Sequence, residues 1–249
     1  MKINILTLFP EMFEPIIGGS ILGRAKKKGI LEVNLLNIRD FSQDKHKKAD
    51  DYPFGGGVGM VMLADPIFRA MEAAGAQGKR AFYMSPRGKV LDHETICQIS
   101  QEEEIVILCG HYEGVDQRVL DYWNMEEVSI GDYVLTGGEL PAMVLIDSVA
   151  RLIPEVLAGE ASAQEESIYS GLLEYPQYTK PREYRDLMVP EVLFNGNHRL
   201  IALWKYQKSL ELTRDRRPDL FQKYLSSHGD LTKAELKILK EVESAVKRV

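Results

Sequence analysis

The chain has 249 residues, 45% of them hydrophobic and 27% charged, with a net charge of −6, which is the make-up of an ordinary soluble protein with enough material for one large or two modest cores. No stretch approaches the length of a membrane span, and the opening MKINILTLFPEMF lacks the length and cleavage site of a signal peptide. The only cysteines, Cys97 and Cys109, lie twelve positions apart and form no CxxC pair, so the expected setting is a reducing cytoplasm in which both are buried small hydrophobes.

Taken whole, the negative charge argues against a nucleic-acid partner, yet it is unevenly spread. Residues 171–249 hold 15 Lys and Arg against 11 Asp and Glu, a balance of +4, which leaves −10 on residues 1–170. The basic third is where a polyanion is expected to bind. Lys26–Lys28 and Lys45–Lys48 are weaker signals, because a three-lysine run is usually a solvated surface.

In chain order, the apolar run Lys2 to Phe9 predicts a strand stopped by Pro10. Ser20 to Lys28 predicts a helix closed by Gly29, and Leu31 to Ile38 a second strand. Arg39 to Gly59 has no periodicity and ends in FGGGVG, the mark of a long loop with a task. A helix follows over Asp65 to Ala74, then a short strand Arg80 to Met84 and a turn at Ser85 to Gly88. Helix Asp92 to Glu102, strand Ile105 to Leu108, helix Val115 to Trp123, strand Val128 to Ile130 and helix Glu139 to Leu152 complete an α/β pattern with a mostly parallel sheet. Small and acidic residues over 158–170 read as a linker between a domain at 1–157 and a small helical, basic domain at 171–249. In the latter, Arg199 to Thr213, Asp219 to Leu225 and Lys233 to Val246 read as helices, with Thr232 and Glu235 forming a capping box.

Two glycine-bearing loops follow consecutive buried strands: CGHYEG at Cys109 to Gly114, and IGDYVLTGGELP at Ile130 to Pro141. Glycines concentrated there point to backbone that bends sharply or lies flat against a nucleotide-like ligand. A Cβ at Gly137 or Gly138 is expected to fit neither a positive-φ turn nor a backbone pressed against a purine. Other motifs are absent. Gly78-Lys79 and Gly88-Lys89 lack the remainder of a phosphate loop, no GxGxxG follows the first strand, and neither GxSxG nor HExxH occurs. His111 and His198 lie in turns, where a lone histidine is more often an exposed bystander.

The strings FGGGVGM at Phe54, YMSPRG at Tyr83, CGHYEG at Cys109, SIGDYVLTGGELPA at Ser129 and GLLEYPQYTKP at Gly171 closely resemble the bacterial tRNA (guanine-N1)-methyltransferase family, one of the knotted (SPOUT) methyltransferases. The resemblance implies a parallel sheet with a C-terminal trefoil knot, S-adenosyl-L-methionine as methyl donor, and a homodimer with an active site assembled between subunits. It further implies that the small helical domain grips the anticodon arm of tRNA, and that the target is N1 of the guanine at position 37, 3′ of the anticodon. Mapped onto this sequence, donor-binding residues are expected on three loops. The first gives Tyr83, Ser85 and Pro86; the second gives Gly110, Tyr112, Glu113 and Gly114. The third gives Ile130, Gly131, Asp132, Tyr133, Val134, Leu135, Gly137, Gly138 and Pro141. Glu113 and Asp132 are carboxylates suited to ribose hydroxyls or an amine, or else caps of the helices that follow them.

The same resemblance assigns Arg151, in VARLIP, and Glu166 as the catalytic pair. Family members show an acidic pair ending in Asp before Ser and Phe, whereas this chain reads Glu165-Glu166-Ser167-Ile168, so a glutamate stands where the family has aspartate. The family is also reported to depend on magnesium; the sequence shows no all-protein metal cage, and Mg²⁺ is expected on one or two carboxylates together with substrate and water. Expected phosphate contacts are Arg182, Arg185, Arg199, Lys205, Lys208, Arg214, Arg216 and Arg217, several of which will be solvated face. Two rivals stay open: a knotted methyltransferase acting on another RNA site, and a non-catalytic RNA-binding dimer.

Overall fold

The computed structural model describes residues 1–157 and 170–245, and the chain divides into two compact units, Met1–Glu160 and Ala161–Val249. The first is built on a five-stranded sheet of β1 (Lys2–Thr7), β2 (Glu32–Asn37), β5 (Arg80–Val90), β6 (Glu104–Cys109) and β7 (Glu126–Ser129), in the order β2-β1-β6-β5-β7 with every pairing parallel. A parallel sheet needs crossovers that cover both its faces, and its strands are accordingly apolar on both sides. Ile3, Ile5, Phe82, Ile105 and Ile107 point to one face, where they meet helices α1 (Glu14–Gly18), α2 (Ser20–Lys27), α4 (His93–Ile99) and α6 (Glu139–Ala150). Leu6, Ala81, Tyr83, Val106 and Leu108 point to the other, against α3 (Ala64–Ala73) and α5 (Gln117–Tyr122). Each fully buried Ile or Phe contributes about 1.5–3 kcal/mol, so the two faces together fix the strand ends on which the loops are mounted.

The structure departs from the predicted elements at two places that matter for those loops. β5 does not stop at Met84: it runs to Val90, and Met84 and Lys89 both pair with Val128 across a register shift. Ser85 to Gly88 is thus a bulge inside a strand, and Gly88 is required there because a Cβ would strike the backbone between Glu127 and Val128. In the middle of the Arg39 to Gly59 segment, β3 (Asp50–Asp51) pairs antiparallel with β4 (Val61–Met62), just beyond its end, so that the glycine-rich half is closed into a loop between the two. Cys109 is buried as expected, but Cys97 is only half-buried.

The second unit holds a two-stranded hairpin, β8 (Glu183–Tyr184) with β9 (Leu187–Met188), and helices α7 (His198–Arg216), α8 (Pro218–Ser227) and α9 (Lys233–Ser244). Leu172, Leu210, Phe221, Leu239 and Val242 form its core. The Thr232–Glu235 capping box is present at the start of α9. The hairpin had no sequence signal: its strands are two residues each, and the left-handed positions of its turn are Arg185 and Asp186 rather than glycine.

Candidate functional site

A cleft of about 300 Å³ opens at the carboxyl ends of β5, β6 and β7, the edge where open α/β sheets bind ligands. Its three walls are the β5 bulge, the loop from β6 to α5 and the loop from β7 to α6. Tyr83, Ser85 and Pro86 line the first; Gly110, Tyr112, Glu113 and Gly114 the second. Ile130, Gly131, Tyr133, Val134, Leu135, Gly137, Gly138 and Pro141 line the third. Asp132 lies on the same loop but is exposed and lines none of the cleft. Neither it nor Glu113 is a helix cap: Asp116 caps α5 by accepting from the Arg118 N–H, and α6 starts at Gly138 without a side-chain cap.

Backbone proximity shapes the walls. The Gly138 N–H donates to the Gly110 carbonyl at 2.9 Å, and His111 and Gly137 form an antiparallel bridge. The expectation of positive φ at Gly137 and Gly138 is corrected here, since neither has it and only Gly131 of this loop does. Closeness excludes a side chain instead. A Cβ on Gly138 would lie 2.7 Å from the Cys109 Cα, and one on Gly110 would enter the Tyr83 ring. Glycine thereby lets the two loops pack backbone to backbone and line the cleft without side chains at these positions. The second wall is also tied to the long loop: the Glu113 N–H donates to the Met60 carbonyl and the Met62 N–H to that of Gly114, both at 2.9 Å. Gly59, at φ +93°, leaves room for the Glu113 side chain.

Side chains complete the electrostatics. Arg87 forks onto both Glu127 oxygens at 3.0 Å. Burial raises the Tyr83 hydroxyl pKa, with Arg87 opposing and Glu127 reinforcing the shift. Burial, with Glu139 adding to it, pushes the Cys109 thiol well above its ordinary value, so it is an inert core group. Arg151 is half-buried at the C-cap of α6, its N–H bonded to the Asp147 carbonyl. Glu165 and Glu166 lie outside the described residues.

No sequence pattern marks the polar chain that runs from the buried interior to His111 on the cleft wall. Glu139, the first residue of α6, is 1% exposed. One of its oxygens accepts from the Thr7 hydroxyl at 2.6 Å and the other meets His111 Nε2 at 2.7 Å. The Phe9 ring packs on that imidazole at 4.9 Å. His111, weighed as an exposed bystander, is thus an anchored group; no local pattern links it to Thr7, which lies on a different strand.

On the second unit, Arg199 and Arg216 are exposed, and the other six expected phosphate contacts separate into two groups. Lys208, Arg214 and Arg217 pair with Glu211, Asp215 and Asp219, and Arg214 also donates to the Val242 and Ala245 carbonyls. Arg182, Arg185 and Lys205 instead lie over the rings of Phe194, Tyr184 and Tyr175.

Fold and cleft together define an α/β protein with a glycine-lined cleft at the carboxyl edge of a parallel sheet. Comparison with known proteins is specific: residues 1–223 match the model of the family described as tRNA (Guanine-1)-methyltransferase TrmD, and the chain belongs to that family. It is 57% identical to the tRNA (guanine-N(1)-)-methyltransferase of Ruminiclostridium cellulolyticum, over 90% of this chain and 97% of that one. It is 54% identical to the protein of the same name from Caldanaerobacter subterraneus subsp. tengcongensis, over 97% and 98%. A third of that name, from Alkaliphilus oremlandii, is 52% identical over 98% and 99%.

Proposed function

We propose that this chain transfers a methyl group from S-adenosyl-L-methionine to N1 of a tRNA guanine, the one at position 37 on the 3′ side of the anticodon. The observation that carries the reading is the cleft itself: the β5 bulge and the loops that follow β6 and β7 are brought together, with glycines at positions where a Cβ would strike a neighbouring loop and push the walls apart. The residues present fit the donor. Walls with no side chain at Gly110, Gly137 and Gly138 suit a flat adenine, Glu113 suits a ribose hydroxyl or an amine, and the volume is at the lower end of the range for small-molecule sites.

The donor supplies an electrophilic methyl group on a sulfonium. N1 of neutral guanine carries a proton, so its lone pair becomes available only as that proton leaves. Glu166 is the proposed base that takes it, and Arg151 the cation that offsets charge gathering on O6 as the N1–C bond forms and the C–S bond breaks. Glutamate in place of the family aspartate adds a methylene, and an active enzyme is expected all the same. The basic residues of 171–249 bind the anticodon arm, phosphate contacts giving most of the affinity. Mg²⁺, if used, sits on one or two carboxylates with substrate and water. Among the described residues no cluster of three or more His, Cys, Asp or Glu could hold a metal, and no helix is long and apolar enough to cross a membrane. A knotted crossing of the β7 to α6 segment and a cytoplasmic setting belong to the same proposal.

A homodimer is part of this reading. α6 is apolar over most of its surface, so that Leu140 and Val144 stay exposed on the side that also carries Asp147 while its remaining apolar residues are buried, and Phe54, Val58 and Val134 are exposed on the loops. Light scattering at micromolar concentration should report twice the chain mass; a monomer contradicts the proposal.

The deciding experiment is methyl transfer to two tRNA transcripts, with guanine or adenine at the target position, followed by nucleoside mass analysis. 1-Methylguanosine from the first transcript alone is expected. A ribose-methylated product, or methylation at another site, favours the related-enzyme rival. No donor binding by calorimetry favours the non-catalytic RNA-binding dimer.

A further inference from the structure

We infer that the buried chain Thr7–Glu139–His111 is a positioning staple for the methyl-donor cleft, fixing two of its loops to each other and to the centre of the sheet. The inference rests on the reading of the cleft as the donor site. A carboxylate nearly sealed from water is costly to keep unless both oxygens are hydrogen-bonded, and here both are. As a carboxylate Glu139 only accepts, so His111 Nε2 carries the hydrogen between them.

The three residues sit where they act on the cleft. His111 lies between Gly110 and Tyr112 on the second wall, and Glu139 directly follows Gly137 and Gly138 on the third. Their contact closes over the Gly138 to Gly110 backbone bond and the His111–Gly137 bridge. A Cβ on Gly137 would run into both the imidazole and the Glu139 carboxylate. Thr7, at the end of the inner strand β1, is fully buried and holds the other oxygen, while accepting the Phe9 N–H at 2.9 Å. Apolar residues of similar size would fill this space at least as stably. What they would not supply is a directional link between loops that line the cleft.

Two variants separate a positioning role from plain core stability. His111→Ala alone leaves a buried carboxylate short of a partner and is expected to melt lower. Adding Glu139→Gln removes the charge, while the amide oxygen still accepts from Thr7, and is expected to restore most of the melting temperature. Binding of S-adenosylhomocysteine to the full chain is measured by calorimetry, with steady-state methyl transfer alongside. The double variant should bind about tenfold to a hundredfold more weakly than the parent, with KM for the donor raised and kcat at saturating donor kept within about threefold. Refolded stability with parental affinity would overturn the inference. Thr7→Val, outside the cleft, gives a second reading: weaker binding supports the staple, and unchanged affinity overturns it. If the parent chain itself binds no S-adenosylhomocysteine, the assignment of the cleft falls, and the staple falls with it.

Discussion

The two units build their candidate binding surfaces in opposite ways. In Met1–Glu160 the candidate site is made of backbone: loops at the ends of three parallel strands approach so closely that glycine is the only residue several positions admit, and buried groups such as Glu139 hold them there. In Ala161–Val249 a small core carries cations, some locked to carboxylates and others resting on aromatic rings. A site of backbone is specific and intolerant of change, whereas a surface of side-chain charge is tolerant and adjustable by salt. The difference matches a small ligand of fixed shape on the one hand and a long polyanion on the other.

The largest effect should come from chemistry on neither surface. Glu166→Gln is expected to lower turnover by about 10²–10⁴-fold while sparing donor affinity, Arg151→Ala to act in the same sense, and Glu165→Gln to matter little. Single-turnover rates beside calorimetry check all three. An inactive Glu165→Gln with active Glu166→Gln would shift the assignment by one residue.

Next come the glycines. Gly137→Val and Gly138→Val should abolish donor binding. Gly138→Val should also cost about 1–3 kcal/mol of stability, because its Cβ meets Cys109 backbone, whereas Gly137→Val presses mainly on side chains. Denaturant titration with calorimetry separates the two, and unchanged affinity in a folded variant would reduce these glycines to a turn.

Smaller still is the response of the charged surface. Neutralising Arg182 or Arg185 should weaken tRNA binding and flatten the plot of log affinity against log salt by about 0.7–0.9 per lost phosphate contact. Arg217→Gln, which loses its pairing with Asp219, should leave that slope nearly unchanged. Equal slopes for all three would erase the distinction between ring-stacked and paired cations.

Asp92 provides the mildest test, on the helix that backs the β5 bulge. The Thr95 hydroxyl and N–H, with Lys89 assisting, hold its carboxyl down at about 2. A depressed folded value means that its stabilisation is complete above the ordinary carboxylate value of 3.8 and is lost as pH falls towards 2. Asp92→Ala should therefore lower the melting temperature by about 2–4 °C at neutral pH, the effect of about 1 kcal/mol from a lost cap. The gap should narrow below pH 4. A gap independent of pH would place the cost elsewhere.

Much of this was legible in the chain. Alternating strands and helices, the two glycine-rich loops and the basic balance of residues 171–249 follow from local pattern, because periodicity, glycine content and charge are properties of short segments. Tyr83, Gly110 and Gly138 could thus be named from residue types and resemblance before any fold was known. What local pattern could not contain is distance between segments. Ser85 to Gly88 read as a turn because nothing nearby shows that Val128 will pair on both sides of it. Gly138 read as a positive-φ turn because the Cys109 backbone that crowds it comes from another strand. Asp132 is named from the resemblance and its carboxylate, whereas its exposed position outside the cleft lining is seen only in the folded loop. Thr7, His111 and Glu139 are each unremarkable in sequence; packing β1 beside β6, and α6 beneath both, turns them into one hydrogen-bonded chain, since burial and partnership are decided only when the tertiary structure brings remote residues within 3 Å.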